Sequence, residues 1–163
     1  MRFVLATCAW FGVILLGACA SAGKPAERAG ITARFHLESA DGEGLSAVLP
    51  RSGVVLRLNA KPVITEADIA GADVAEVELG RCLLLTLTPE AGRDLYRLSV
   101  AHQGRRMALQ LDGAFIGARR IDGPISDGRV FIFLELTDEA LPGVVAELRK
   151  TAAAIRTKTG DKR

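Results

Sequence analysis

Two apolar runs that almost touch constrain this chain more than any other feature. Residues 74–79 (VAEVEL) and 82–88 (CLLLTLT) are separated only by Gly80-Arg81. So short a link leaves room for an antiparallel hairpin and nothing else. Alternation within the second run places Leu83, Leu85 and Leu87 on one face, which must then be covered. The cover is written next to it. Thr88 is a helix N-cap, Pro89 stands at the first helical position and Glu90 in the first turn. Ala91, Leu95 and Leu98 fall on the inner side of the predicted helix, and Gly104 ends it.

The rest of the body repeats this logic. Ile31, Ala33, Phe35 and Leu37 alternate with Thr32, Arg34, His36 and Glu38, predicting a half-buried strand with His36 on its polar face. Residues 41–44 (DGEG) turn the chain, Val54, Leu56 and Leu58 mark a further strand, and residues 65–68 (TEAD) open a short helix. Met107, Leu109 and Leu111 point inward from a strand that stops at the hairpin dipeptide Asp112-Gly113. Residues 130–136 (VFIFLEL) are apolar on both faces as far as Glu135, which places them centrally in a sheet. Thr137 caps a last helix whose Leu141, Val144, Val145, Leu148, Ala152 and Ile155 form one stripe, Pro142 allowing a start later than Asp138. Strands outnumber helices and the turns are tight. The expectation is a single α+β domain, mainly antiparallel sheet with two main helices packed on it.

The first residues follow other rules. Residues 1–22 carry one basic residue, Arg2, an apolar run from 3 to 16, and small residues leading to Cys19. That is the layout of a secretory signal segment. The run is shorter than the roughly 20 apolar residues of a membrane-spanning helix. Leu16-Gly17-Ala18-Cys19 resembles the lipobox of bacterial lipoproteins. The resemblance implies cleavage before Cys19 and a covalent lipid on it, and no other cofactor is expected. The division is then 1–18 signal peptide, 19–30 lipidated cysteine and tether, 31–156 folded domain, and 157–163 basic tail. Ala20 after Cys19 favours the outer membrane over the inner, with the domain in the periplasm.

Composition removes several function classes. Basic and acidic residues number 21 and 19, so no strong field for nucleic acid exists. The sole tryptophan, Trp10, lies in the signal, and the sole tyrosine is Tyr96, too few aromatics for a base-stacking platform. Cys82 remains without an internal partner and reads as a small buried hydrophobe. His36 and His102 have no cysteine or carboxylate at ligand spacing. Residues 42–47 (GEGLSA) fit a loose dinucleotide fingerprint, but Asp41 and Glu43 would repel a pyrophosphate and Pro50 interrupts the helix required. Glu76 and Glu78 share one strand face in water. An enzyme would need His102, Asp112 and Glu76 to converge on one pocket, and no catalytic residue is expected.

Two stretches resemble the head subdomain of the first periplasmic domain of SecD, an accessory subunit of the bacterial protein-export translocase. Pro62-Val63-Ile64-Thr65-Glu66-Ala67-Asp68-Ile69, followed by Ala72-Asp73-Val74, matches that head's entry. Leu87-Thr88 through Gly92, then Gly104-Arg105-Arg106-Met107-Ala108-Leu109-Gln110-Leu111-Asp112-Gly113, matches its helix and following strand. Ile121, Pro124-Ile125, Gly128, Ile132 and Thr137 continue the spacing, so the likeness covers roughly residues 54–150. It implies the head fold and its role of holding an emerging polypeptide.

The segment worth watching is 112–128. Asp112, Gly113, Pro124 and Gly128 are expected to make its turns, around a short strand at Phe115 and Ile116. Arg105, Arg106, Arg119 and Arg120 are candidate contacts to a carboxylate- or phosphate-bearing partner. An open strand edge could also pair an extended peptide. The expected partners are the membrane, through the lipid, and an exported polypeptide or an envelope protein complex. The alternative is a structural or assembly lipoprotein without polypeptide-holding activity.

Overall fold

The computed structural model describes residues 30–160, with side chains to 158. The expected signal peptide, Cys19 and most of the tether lie outside the described residues. Eight strands and two helices run in the order β1 (Ala33–Leu37), β2 (Leu45–Val48), β3 (Val55–Leu58), β4 (Ile69–Val77), β5 (Gly80–Leu87), α1 (Pro89–Ala101), β6 (Arg106–Leu111), β7 (Ala114–Arg120), β8 (Arg129–Ile132) and α2 (Leu141–Gly160). A 3-10 turn, Glu66–Asp68, precedes β4 and is closed by a capping box between Thr65 and Asp68. All pairing is antiparallel, in sheets ordered β1-β6-β7, β2-β3 and β4-β5-β8. This is the α+β domain that the periodicities predict.

The two three-stranded sheets and one stripe of each helix close on one core. Phe35, Leu83, Leu85, Leu95, Met107, Leu109, Ile132 and Leu148 are almost fully enclosed there. The β4–β5 hairpin turns at Glu78-Leu79, with Gly80 following at φ 111°. Thr88 caps α1 by accepting the Ala91 N–H at 3.3 Å. Asp112 and Gly113 both take positive φ, 45° and 88°, as a type I′ hairpin requires. The β2–β3 hairpin lies over the opposite face of β6 and β7, where Ala47, Leu56, Leu58 and Ala108 form a small second core with Phe115 and Ala118.

Sheet edges are mostly covered. Beside β1, the segment at residues 59–64 exchanges backbone bonds with Phe35 and Leu37. Alongside β4 lies α2, whose Arg149 Nε donates to the Ala72 carbonyl at 2.7 Å. Helix α2 runs antiparallel to β4: Glu139, just before the helix, feels the charge of Arg81, Arg149 meets Ala72 and Asp73, and the helix also contacts the 3-10 turn. Among the described residues no strand pairs with the outer side of β2.

Three readings of the sequence are corrected. His36 is 4% exposed rather than on a polar face, because the end of β3 and Phe115 cover that side of β1. Its Nδ1 lies 2.9 Å from the Asn59 carbonyl. A carbonyl only accepts, so Nδ1 carries the proton. Residues 130–136 are not a central strand: β8 ends at Ile132 and lies at an edge, with β5 in the centre. The chain then crosses over β7, where a Cβ on Gly117 would stand 2.5 Å from the Phe133 carbonyl. Glu78 lies in a turn, so it does not share a strand face with Glu76. No helix follows the residues that fit a loose dinucleotide fingerprint, in keeping with the sequence; a strand the sequence did not announce, β2, begins there instead.

Candidate functional site

Helix α1 and the turn before β8 build the site between them. Ala91, Leu95 and the fully buried Ser99 hold α1 to the core. The Ser99 hydroxyl donates to the Tyr96 carbonyl at 2.8 Å and accepts the Ile125 N–H at 2.9 Å. One hydroxyl therefore ties the helix to the 124–128 segment. Three residues on, the Gly128 carbonyl accepts the Leu87 N–H at 2.9 Å. Gly128 has φ 65°, and its Cα would be 3.4 Å from a Cβ on Gly92, so the turn seats directly on the helix backbone.

A groove of about 660 Å³ opens along this seam, with Leu87, Pro89, Gly92 and Tyr96 on one side and Ser126 to Gly128 on the other. Ser126 and Asp127 also line a second concavity of about 320 Å³, bounded by Arg119, Pro124, Arg129 and Phe131. Tyr96 and Phe131 remain 46% and 37% exposed, an unusual outlay of aromatic surface in a chain with so few aromatics. Arg93 and Arg97 line the rim, each in an exposed ion pair within α1, to Glu90 at 3.3 Å and Asp94 at 3.0 Å. The Asp127 carboxylate accepts the Arg129 N–H at 3.0 Å. An apolar trough with mixed charges at its rim suits an extended peptide.

Of the four candidate arginines, Arg106 and Arg120 stand directly opposite each other across β6 and β7, while Arg105 and Arg119 engage other partners. Arg106 grips Glu38, its Nη2 at 2.5 Å and its backbone N–H at 2.9 Å from the carboxylate. These hydrogen bonds hold the Glu38 carboxyl below the usual carboxylate range and raise Arg106. Arg105 donates to the Glu38 carbonyl and lies 3.1 Å from His102 Nδ1, which must accept. Both guanidinium groups thus bond to acceptors on the protein itself. Arg119 donates to the Phe131 carbonyl at 3.1 Å, capping the open side of β8, and still lines the second concavity. Arg120 is exposed, 3.9 Å from Asp122.

Asp112 and Gly113 make the β6–β7 turn, where Asp112 also accepts the Thr32 N–H at 2.9 Å. Pro124 lines the second concavity and Gly128, at a bend with positive φ, lines the first. The strand expected at Phe115 and Ile116 extends to Arg120. His102, Asp112 and Glu76 do not converge: none lines either concavity. Cys82 is a buried free thiol, pushed up by burial. Sequence reasoning missed Ser99, Tyr96, Arg93 and Arg97. The signal was present, since Ser99 interrupts an apolar helix stripe and Tyr96 and Val100 sit on the polar face of the same helix.

A second polar device lies at the far side of the second core. The Glu135 carboxylate accepts the Arg51 N–H at 2.7 Å, the Ser52 N–H at 2.9 Å and the Ser52 hydroxyl at 2.5 Å. Partial burial pushes this carboxyl up, but the Ser52 and Arg51 hydrogen bonds outweigh it and leave it below its usual range. Glu135 therefore latches the β2–β3 turn to the segment after β8.

Solved structures share this fold. A membrane component SecDF that enhances protein export is 22% identical, with a TM-score of 0.59 over 74% of this chain and 63% of that one. SecDF in its super-membrane-facing form gives 21% identity and a TM-score of 0.54 over 79% of this chain and 19% of that one. SecDF from Thermus thermophilus, a translocon-associated membrane protein, gives 22% and 0.51 over 76% of this chain and 20% of that one. The chain thus spans under two thirds of the first and about a fifth of the others. At this identity the likeness defines the fold. No family model matches the sequence, and no curated protein does either.

Proposed function

We propose that this chain is a non-catalytic, membrane-anchored lipoprotein of the cell envelope whose domain holds an extended polypeptide. The lipid on Cys19 supplies the anchor, and the groove along α1 supplies the hold. The observation that supports this reading is the pair of exposed aromatics, Tyr96 and Phe131, one in each of two concavities that share Ser126 and Asp127, on a fold shared with a component that enhances protein export. Aromatic anchors dominate peptide affinity because each removes a large rigid apolar surface from water at low entropic cost. Arg119, Arg129 and Asp127 would set the direction of the bound chain.

The open edge of β2 favours a second reading, in which the domain assembles with a fixed envelope protein. Val48 and Val55 face each other across the β2–β3 pair and are each 58% exposed. A neighbouring strand could pair there. The two readings separate in a titration of fluorescent unstructured peptides followed by anisotropy. Polypeptide holding predicts saturable binding that Tyr96→Ala with Phe131→Ala weakens about tenfold. A flat titration would exclude it.

A further inference from the structure

The end of α2 faces the place where the anchoring chain arrives. Gly30 packs directly against Thr151, whose hydroxyl donates to the Ile31 carbonyl at 3.1 Å. The chain from Cys19 therefore joins the domain in the C-terminal half of α2. Ten residues lie between Cys19 and Gly30, a reach of at most about 40 Å. Whatever its conformation, this end of the helix stays near the bilayer if the cysteine is lipidated.

The same end is cationic. From Arg149 to Gly160, α2 contains Arg149, Lys150, Arg156 and Lys158 and no carboxylate. Arg149 is engaged by Asp73, and Lys150 by Glu147 at 2.6 Å. Arg156 and Lys158 are exposed, with no ion pair among the described residues, and Ala153, Ala154 and Thr157 beside them are small and exposed. In the sequence Lys162 and Arg163 follow, against the single Asp161. The opposite end of α2 carries no such charge: it lies near the β4–β5 turn, where Leu79 is 84% exposed between Glu78 and Gly80.

We propose that the last two turns of α2 dock on anionic phospholipid headgroups and fix the orientation of the domain on its tether. The arrangement rests on the lipidation reading, because the nearness of the tether to α2 is what presents these cations to the surface. A lipid alone leaves the domain free to tumble. Cations within a Debye length of an anionic surface, about 10 Å at 0.1 M salt, bias which side faces down. The helix is about 30 Å long, so docking at one end holds the β4–β5 turn well off the membrane.

The test uses the lipidated protein purified from membranes and reconstituted into vesicles. A fluorophore is placed at Thr157→Cys or, as a distal control, at Leu79→Cys, with Cys82 protected by burial. Quenching by lipids labelled near the headgroup is compared in phosphatidylcholine and in mixed phosphatidylcholine/phosphatidylglycerol vesicles. The expected result is severalfold stronger quenching at position 157 in anionic vesicles at low salt. High salt and the Arg156→Gln/Lys158→Gln variant should abolish that excess, and position 79 should stay unquenched throughout. Equal quenching at 157 in every vesicle, salt and variant would overturn the docking, as would none at all. Flotation at high salt judges the anchor separately. Wild type that fails to float removes the lipidation reading and this arrangement with it. Wild type that floats, with an unresponsive label, removes the docking alone.

Discussion

Glu38 and Glu135 show how single carboxylates hold distant segments of this domain together. Glu38 joins the end of β1 to the start of β6, and Glu135 joins the β2–β3 turn to the segment after β8. Both carboxyls lie below their usual range when folded. Their contribution is therefore complete above the ordinary glutamate range, about pH 4–5, and is lost as pH falls through the lower folded values. Urea unfolding should show wild type losing more stability between pH 7 and pH 4 than Glu38→Gln or Glu135→Gln does. Equal losses would contradict the assignment. At pH 7, Glu38→Gln should cost about 1 kcal/mol, the Arg106 side being well exposed to solvent. Neither contact is legible in sequence, because the partners of Glu38 lie 68 residues away and those of Glu135 lie 83 and 84. Ser99→Ala should cost about 1–2 kcal/mol by stranding the buried Ile125 N–H. The same change should weaken peptide binding, since the groove wall hangs from that hydroxyl.

Elements whose signals are local are legible; those decided by their neighbours are not. Thr88 and Pro89 announce α1, and Asp112-Gly113 announces the β6–β7 turn, because cap and turn chemistry reside in adjacent residues. Strand β2 escapes notice because four residues after a glycine-rich turn give no periodicity. Strand β8 looks central in sequence because Phe131 and Phe133 add apolar residues on the face that should be polar. They are exposed instead, Phe131 at the groove. An apolar residue in the wrong place for a core was the trace of the site. The same reasoning explains His36, whose face of β1 is covered by a hairpin contributed from elsewhere. On α2, Leu148 is 2% exposed and should cost about 2–5 kcal/mol as Leu148→Ala, measured by chemical denaturation. Val55→Thr on the open face of β3 should change stability by less than about 0.5 kcal/mol.

At the scale of the whole molecule, the sides of the domain differ in character. Sheet edges at β1 and β4 are closed, Gly30 packs against Thr151 of α2, and Tyr96 and Phe131 lie exposed in the two concavities that share Ser126 and Asp127. Under the proposed function, polypeptide holding near a membrane would need an anchored side and a receptive groove kept clear of lipid. The most direct measurement is photocrosslinking in intact cells from a benzoylphenylalanine placed at Tyr96, with Leu79 as the control position. The account predicts adducts with many different exported precursors from position 96 and few from position 79. A single discrete adduct from both positions, or none from 96, would contradict polypeptide holding in this groove.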